Sequence, residues 1–488
     1  MMQSKPLSFT LSLLVILVLV LSACQSTTPT GVTATQAGTT QPTRRATRTL
    51  RPQVSATPQP SPTALPHLNL DLAAVNGAQV DFWHPWRGDL AARAEDAVRQ
   101  FNKENPWGIR VRVRALNSAP ALYDAVEASL ADPTLPEAPE VLAAAPEELA
   151  AWMGAGRIMG LDDYLNHPEW GLKSGELSAF QPLFWQQDQS GGQQIGIPAV
   201  RSARVLFYNQ TWAAELGFHN PPVTPQEFKA QACAATQANN ADGNSDKHFT
   251  GGWLIDTHAL TLLSWLDAFD AQVLPVVDGA PYTFETEAAE NALTFLRKLS
   301  DDGCAWSGRS PTPHDYFANR MALFYSGTLQ DLAIQAATQQ RLNSGDRWTV
   351  LAYPSEAETG IVYSQGYSYG VLTGTPSQQL AGWLFTRWMS QPHNQALLAE
   401  VWPSFPITTT AESELSDYKN NFPWSLILPL QAAVRPAPAL ASWPKVRVIL
   451  EDAAMLQLFL LPVEQMEFFL PELDKITREV LSQERIER

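Results

Sequence analysis

Apolar residues follow two different spacings between residues 78 and 154, and the two spacings alternate along the chain. Short apolar runs predict strands, whereas apolar residues three or four positions apart predict amphipathic helices. The predicted strands are 78–82, 109–113 and 140–143, and the predicted helices are 90–102, 123–130 and 146–153. Consecutive strand and helix units of this kind indicate an α/β protein with a mostly parallel sheet covered on both faces.

The same alternation continues in the second half of the chain. Further strands are predicted at 204–208, 321–325, 348–352 and 370–372, and further helices at 226–236 and 285–299, after Ser326-Gly327, and twice within 376–399. Thr224 can cap the N-terminus of the helix at 226–236, and Pro225 suits the first position of this helix. The part of the chain after residue 66 exceeds the usual size of one compact core, so we expect two domains.

The first 66 residues have a different character. Lys5 precedes an apolar run from Leu11 to Leu21, which is too short for a dependable membrane span and is typical of a signal peptide. The run ends in Leu21-Ser22-Ala23-Cys24, which resembles a bacterial lipobox. We expect a lipoprotein signal peptide at 1–23, a lipidated Cys24 and a disordered Thr- and Pro-rich tether at 24–66. An uncleaved anchor helix is the alternative, and both place the body outside the cytoplasm.

The net charge of the chain limits the classes of partner that it is expected to bind. Acidic residues number 49 against 33 basic ones, which gives a formal net charge of -16. Several of the basic residues lie in the tether, so the body is more acidic still. This balance argues against nucleic acid as a partner. The most apolar stretch of the body, residues 453–461, is short and closed by Pro462, so we expect the body to be water-soluble.

Three cysteines are present. If Cys24 carries lipid, Cys233 and Cys304 remain as an even pair in an oxidising compartment and form a candidate disulfide. Two separate buried thiols fit the count as well. These cysteines lack the histidine neighbours of a zinc site, and we expect no metal or cofactor.

The segment Asp242-Gly243-Asn244-Ser245-Asp246 carries alternating oxygen side chains, as calcium loops do. It lacks the glycine at the sixth place and the terminal glutamate of an EF-hand loop. An Asx-rich surface turn is therefore favoured over a calcium site.

Several segments occur in an order that resembles a known family. They are Val80-Asp81-Phe82-Trp83-His84, Phe101 to Pro106, Leu206-Phe207-Tyr208-Asn209, Phe317 to Ala322 with Ser326-Gly327, and Ala381 to Phe385. No single segment is specific, but their order from residue 78 to about 410 resembles the family 1 extracellular solute-binding proteins of ABC importers. This group includes maltose-binding and glycerol-phosphate-binding receptors.

The resemblance implies a two-lobed, periplasmic-binding-protein-like fold of type II, with the ligand held in a cleft between hinged lobes. By the order of segments, the first lobe is expected at 77–199 plus 370–410 and the second at 200–369 plus 411–488. The hinge crossings are expected near Pro198 to Val200 and near Gln365-Gly366. The implied function is a lipid-anchored, monomeric receptor that captures a sugar or oligosaccharide by hinge closure and delivers it to the permease subunits of an ABC importer.

Ligand contacts are expected first in the loop after the first strand, because open α/β sheets bind ligands at the carboxyl ends of their strands. Trp83, His84, Trp86 and Arg87 offer aromatic faces, a ring nitrogen and a charge there, which suit the apolar faces and hydroxyls of a sugar. The alternative is that Trp83 is a core residue and Trp86 a packing lid.

The resemblance adds further candidates in both lobes. They are Tyr208, Ser326, Gly327, Gln365, Tyr367, Trp402 and Trp443. Tyr208 could equally be a buried residue that caps its strand. Many relatives carry a tryptophan just after the glycine at Gly327, whereas this chain has Thr328-Leu329, which weakens the case for maltodextrin stacking there.

Other function classes have weaker support. Arg201 and Arg204 fit either an anionic ligand or structural salt bridges. The sequence contains none of three common catalytic motifs, namely a Gly-x-Ser-x-Gly elbow, a His-Glu-x-x-His pair and a phosphate-binding glycine loop. We therefore do not expect the protein to be an enzyme. A glycan-acting enzyme built on carboxylates such as Asp162-Asp163 or Asp301-Asp302 remains a minor alternative. A surface sensor or scaffold with the same fold is the other alternative.

Overall fold

The computed structural model describes residue 70 and residues 72–487, with gaps at 132–137, 277–278, 310–311, 358 and 416–419. The predicted signal peptide, Cys24 and the tether up to residue 66 lie outside the described residues. Within the described part, no helix combines the length and apolar character needed to cross a bilayer.

A mixed sheet of ten strands forms the centre of the fold, and a two-stranded hairpin lies beside it. The strands are β1 Gln79–His84, β2 Arg110–Ala115, β3 Val141–Ala144, β4 Gln189–Ser190, β5 Gln193–Gln194, β6 Ile197–Asn209, β7 Gly251–Leu254, β8 Ala305–Trp306, β9 Ala322–Thr328, β10 Trp348–Leu351, β11 Val362–Val371 and β12 Val434–Pro436. The sheet order is β2-β1-β3-β11-β6-β9-β7-β8, with β10 paired to β6 and β12 to β11.

Helices connect these strands. In the first half they are α1 Gly88–Glu104, α2 Ala119–Ala131, α3 Pro146–Gly154, α4 Asp162–Leu165, α5 Ser174–Ala179, α6 Pro182–Gln187, α7 Gln210–Glu215 and α8 Pro225–Ala241. The later ones are α9 Ala259–Ala268, α10 Glu287–Asp301, α11 His314–Ala318, α12 Asp331–Arg341, α13 Pro376–Met389, α14 Pro392–Val401, α15 Thr409–Glu414, α16 Trp424–Ile427, α17 Trp443–Val448, α18 Met455–Leu458 and α19 Met466–Glu487. Single 3₁₀ turns occur at Leu72–Val75, Ser245–Lys247, Leu428–Ala433 and Val463–Gln465, and a π-helical segment at Ile449–Ala454.

Two long strands, β6 and β11, run through the middle of the sheet. They pair antiparallel from Tyr363 opposite Arg204 to Tyr369 opposite Ile197, with an irregularity after Tyr367. We call the part built on β1, β2 and β3 the first lobe, and the part built on β7, β8, β9 and β10 the second lobe. Since β11 pairs with β3 and β6 pairs with β9 and β10, the two strands join the lobes.

Both expected crossings fall within this paired stretch. Gly366 lies opposite Arg201, and a Cβ atom at Gly366 would collide with the backbone carbonyl of Val200. Only glycine therefore allows the two crossing strands to approach this closely.

The core has three clusters of buried side chains. One continues from Phe82 and Trp86 in the first lobe to Phe207 and Tyr325 in the second. A second fills the second lobe, and a third, around Trp83, packs a separate group of first-lobe residues that includes β3 and α3 side chains. Each fully buried large apolar side chain stabilises the fold by about 1.5–3 kcal/mol. The shared cluster thus ties both lobes to the crossing strands.

The disulfide prediction is confirmed. Cys233 on α8 is bonded to Cys304, which lies just before β8, and their Cα atoms are 4.4 Å apart. Thr224 caps α8 as expected, because its side-chain oxygen accepts a hydrogen bond from the Glu227 backbone amide at 3.2 Å.

The segment after α8 forms an Asx turn. The Asp242 carboxylate accepts a hydrogen bond from the Asn244 backbone amide at 2.8 Å, and the Asn244 side chain accepts one from the Asp246 amide at 3.1 Å. Its side-chain oxygens thus order the local backbone.

Candidate functional site

A cavity of about 180 Å³ lies where the two lobes meet over the crossing strands. Its aromatic walls are Tyr367 on β11, Trp402 after α14 and Trp443 on α17. Its polar and charged lining consists of Glu147, Glu148, Gln187, Ser202, His258, Gln330, Gln365 and Arg447. The cavity therefore combines ring faces with hydrogen-bonding groups from both lobes.

The first-lobe wall follows from the way β3 ends. Pro146 starts α3 two residues after β3, which places Glu147 and Glu148 in the first helical turn at the carboxyl end of the strand. The Glu148 carboxylate accepts a hydrogen bond from the Ala145 backbone amide at 3.0 Å. Burial, and next the charge of Glu147, raise the pKa of Glu148 to about 8. Burial also raises the pKa of Glu147.

The second-lobe wall carries Arg447 and His258. Arg447 lies on α17, which packs against α3, and its buried Nε has no hydrogen-bond partner among the described residues. His258 Nδ1 accepts a hydrogen bond from the Leu260 backbone amide at 3.1 Å. Burial, and next the positive charge of Arg204, lower the pKa of His258 to about 3. His258 is therefore uncharged at neutral pH.

Arg201 lies beneath the first cavity and forms hydrogen bonds to residues that line it. Its guanidinium is fully buried and donates to Gln187 Oε1 at 2.8 Å, to the Tyr367 carbonyl at 2.7 Å and to Asp188 Oδ1 at 2.8 Å. Gln187 Nε2 in turn donates to the Ala437 carbonyl at 3.2 Å. Arg201 thus forms a structural ion pair and positions two residues that line the cavity.

A second cavity, of about 490 Å³, lies in the second lobe. Strand β7 is parallel to β8 and β9, and the cavity lies at the carboxyl ends of these strands, where α/β sheets bind ligands. Ser326 and Gly327 line it together with an ion pair and a His–Asp pair. Arg204 contacts Asp256 at 2.5 Å, and His314 Nε2 lies 3.2 Å from Asp331 Oδ1. Arg204, like Arg201, is engaged in a salt bridge.

Some of the predicted contact residues line one of the two cavities, and the others line neither. Gln365, Tyr367, Trp402 and Trp443 line the first cavity, and Ser326 and Gly327 line the second. Trp83, His84, Trp86, Arg87 and Tyr208 are not among the described residues that line either cavity.

The last residues of β1 and the first residues after it turn mostly into the core. Trp83 is buried under the Arg114 guanidinium, 4.5 Å from its ring centroid, and His84 stacks on Trp86 at 4.8 Å. Burial lowers the pKa of His84 to about 4. Arg87 is exposed beyond this pair.

Tyr208 is 2% exposed, and its hydroxyl donates to Gln231 Oε1 at 2.9 Å. Its ring stacks on Phe324 at 5.1 Å. The structure therefore places it in the second-lobe core.

Sequence analysis missed Glu147, Glu148, His258 and Arg447. The two glutamates follow a strand that was predicted, so the rule applied to the first strand would have found them. His258 follows β7, whose Gly-Gly-Trp-Leu sequence gives no strand signal. Arg447 lies on α17, which has no strong periodicity and was not predicted.

A sequence profile of the family described as bacterial extracellular solute-binding protein matches residues 96–423. No curated protein sequence matches the chain.

Solved structures share the fold. The sugar-binding protein MalE of Xanthomonas citri has a TM-score of 0.68 at 19% identity, over 84% of this chain and 98% of that one. The cyclic α-maltosyl-1,6-maltose-binding protein of Arthrobacter globiformis has a TM-score of 0.67 at 17% identity, over 83% and 99%. UgpB of Mycobacterium tuberculosis, solved with glycerophosphocholine, has a TM-score of 0.65 at 15% identity, over 83% and 99%.

Proposed function

Since this chain belongs to the bacterial extracellular solute-binding protein family, we propose that it is a receptor that captures a sugar and delivers it to the permease of an ABC importer. The observation that carries the sugar assignment is the first cavity, where three aromatic side chains adjoin carboxylate, amide and guanidinium groups. Aromatic faces suit the apolar C–H faces of a sugar ring, and the polar groups suit its hydroxyls. MalE and the cyclic maltosyl-maltose-binding protein, which share the fold, are sugar-binding proteins by name.

The size of the first cavity limits the ligand. At about 180 Å³ it is smaller than the 300–1,000 Å³ that is typical of sites for drug-sized ligands. It suits a single sugar ring against Tyr367, Trp402 and Trp443, with Gln365 and Glu147 bonding hydroxyls. Further rings of an oligosaccharide would have to lie outside this cavity, for example towards Ser326 and Gly327 in the second cavity.

Residues behind the cavity keep the ring faces in place. Trp86 contacts Tyr367 edge to face at 6.4 Å and is itself stacked on His84. Trp83 and Tyr208 stabilise the two lobes from their cores, and Arg87 lies at the exposed edge of the same loop.

Capture works by hinge closure. The ligand contacts both lobes only when α3 and α17 lie together, as they do in this structure, so its binding energy favours the closed state. The paired strands β6 and β11 bend about the crossing at Gly366. The closed form is what the permease recognises.

The protein acts as a monomer, without cofactor or chemistry of its own. The lipid on Cys24 and the 24–66 tether hold it at the membrane.

A thermal-shift screen of the purified protein tests the proposal, with mono- and oligosaccharides, polyols, sugar phosphates and amino acids as ligands. A ligand at a hundred times its dissociation constant stabilises a protein by roughly 2.7 kcal/mol. We expect such a shift with sugars and recovery of the sugar unchanged. A shift with amino acids alone, or hydrolysis of the sugar, would contradict the proposal.

A further inference from the structure

His258 lines the first cavity from the second lobe. It is the N-cap residue of α9, and its Nδ1 accepts a hydrogen bond from the Leu260 backbone amide at 3.1 Å. A ring nitrogen that accepts a hydrogen bond carries no proton, so the neutral imidazole holds its proton on Nε2. The cap therefore fixes the tautomer of a residue that lines the cavity.

The surroundings of His258 keep its ring neutral. The charged groups around it are Arg204 on β6, Asp256 just after β7, Arg447 on α17 and Glu451 in the π-helical segment. Burial and the charges of Arg204 and Arg447 outweigh the opposing charge of Asp256, so the pKa of His258 is lowered to about 3. At neutral pH the ring is thus a neutral hydrogen-bond donor rather than a cation.

The Nε2–H group of His258 has no acceptor within the described part of the protein. The Glu451 oxygen Oε1 lies 3.8 Å from Nε2, which is beyond hydrogen-bond range. This oxygen already accepts a hydrogen bond from the Ala259 backbone amide at 3.3 Å. Because a donor left unpaired after its water is displaced costs free energy, a ligand in the first cavity has to supply an acceptor for Nε2.

Other neutral groups in the lining are committed to partners inside the protein. The Gln330 oxygen Oε1 accepts from Ser202 Oγ at 2.7 Å, and Gln330 Nε2 donates to the Pro403 carbonyl at 2.8 Å. Gln187 is likewise bonded through both its amide oxygen and its amide nitrogen. His258 differs from these residues because its donor is not used within the described structure.

On these grounds we propose that His258 selects the sugar captured by this receptor, by donating a hydrogen bond from Nε2 to the oxygen of one ring hydroxyl group. The inference rests on the proposed sugar-binding function and assigns a specificity-determining residue to it. A sugar without that hydroxyl group would leave the donor unpaired in the occupied cavity. Sites of this kind discriminate strongly against the analogue that lacks the bonding group.

Two substitutions separate the cap from the donor. Asparagine places its side-chain oxygen about where Nδ1 lies and caps helices well, so His258→Asn should keep the melting temperature and lose the donor. Glutamine places its amide nitrogen about where Nε2 lies but caps poorly, so His258→Gln should melt lower and yet bind sugar more tightly than His258→Asn. His393→Asn makes the same change on the exposed surface of α14 and should alter neither property.

Calorimetric titration of the full mature protein at pH 7 measures the binding. The probes are the methyl α-glycosides of glucose, galactose and mannose, and the deoxy analogues of the one that binds most tightly, each lacking one hydroxyl group. We expect wild-type protein to bind one analogue at least about tenfold more weakly than the parent glycoside. His258→Asn should lose a similar factor with the parent and little more with that analogue, because both changes remove the same hydrogen bond.

Nitrogen NMR of the histidine side chains tests the tautomer without any ligand. The resonances of His258 are identified by their loss in His258→Asn. We expect them to show an unprotonated Nδ1 and a protonated Nε2 from pH 5 to 8. A protonated Nδ1 would overturn the inference.

The calorimetric outcomes separate the two proposals. Equal affinity of wild-type protein and His258→Asn for the parent glycoside, or a loss that no deoxy analogue reproduces, overturns the inference and leaves the sugar receptor standing. If none of the three glycosides binds, the inference is overturned as well, and the receptor proposal fails with it only if no other sugar shifts the melting temperature.

Discussion

The buried ion pair between Arg201 and Asp188 gives the most quantitative prediction. Both side chains are 0% exposed, and the pair bridges the crossing strands through the Tyr367 carbonyl and through Ser368 Oγ, which donates to the Asp188 carboxylate at 2.6 Å. Arg201→Met removes the cation and leaves the Asp188 carboxylate buried without its counter-charge. Breaking a buried pair in this way costs about 3–5 kcal/mol of the free energy of unfolding.

Urea unfolding at pH 7, followed by tryptophan fluorescence, measures this loss. Arg341→Met is the matched control, because Arg341 pairs with Asp315 on the surface, with both side chains more than half exposed, and should lose no more than about 1 kcal/mol. The double variant Arg201→Met with Asp188→Leu should recover much of the loss, since no unpaired buried charge remains. A loss for Arg201→Met no larger than that of Arg341→Met would refute the reasoning.

Three further predictions follow from the core and the hinge. Reduction of the Cys233–Cys304 bond, which closes a loop of 71 residues, should cost about 4 kcal/mol in urea unfolding, and a Cys233→Ser/Cys304→Ser variant should not respond to reductant. The pKa of His84 is lowered from 6.5 to about 4, so the unfolded chain binds the proton more tightly. The proton linkage of His84 should therefore lower the free energy of unfolding by up to about 3 kcal/mol as the pH drops from 6.5 to 4, in addition to the contribution of His258, whose pKa is also lowered. His84→Gln should make the fall shallower by this amount, and an unchanged pH profile would exclude a contribution of His84. Gly366→Ala should lower the melting temperature in a thermal scan, because its Cβ would strike the Val200 carbonyl, whereas Gly345→Ala meets no neighbour within 4 Å and should be tolerated.

The sequence predicts elements well where hydrophobic spacing is strong. The helix from Glu287 to Asp301 and the strand from Arg110 to Ala115 lie within two residues or so of their predicted positions. The spacing underestimates β6, which is buried along all of Ile197–Asn209, because a strand covered on both faces shows no alternation. It also misses β7, since glycines disfavour strands unless neighbouring chains require them.

Side-chain direction decides which of the predicted residues line a cavity. Tyr367, Trp402 and Trp443 line the first cavity, whereas Trp86 turns into the first-lobe core. At the end of a strand, a shift of one position moves a side chain to the other face of the sheet, and the sequence does not fix that choice. Burial of a ring as large as Trp86 stabilises the lobe and competes with ligand contact.

A sugar that binds between the lobes should lie against the aromatic walls of the first cavity. The most direct test is calorimetric titration of wild-type protein, Trp402→Ala and the matched control Trp107→Ala with the sugar that gives the largest thermal shift. Trp402 is half-buried in the cavity wall, whereas Trp107 is half-buried near the start of β2, outside the described lining. We expect at least about tenfold weaker binding, or about 1.4 kcal/mol, for Trp402→Ala and unchanged binding for Trp107→Ala. Equal affinities for wild-type protein and Trp402→Ala would contradict this expectation.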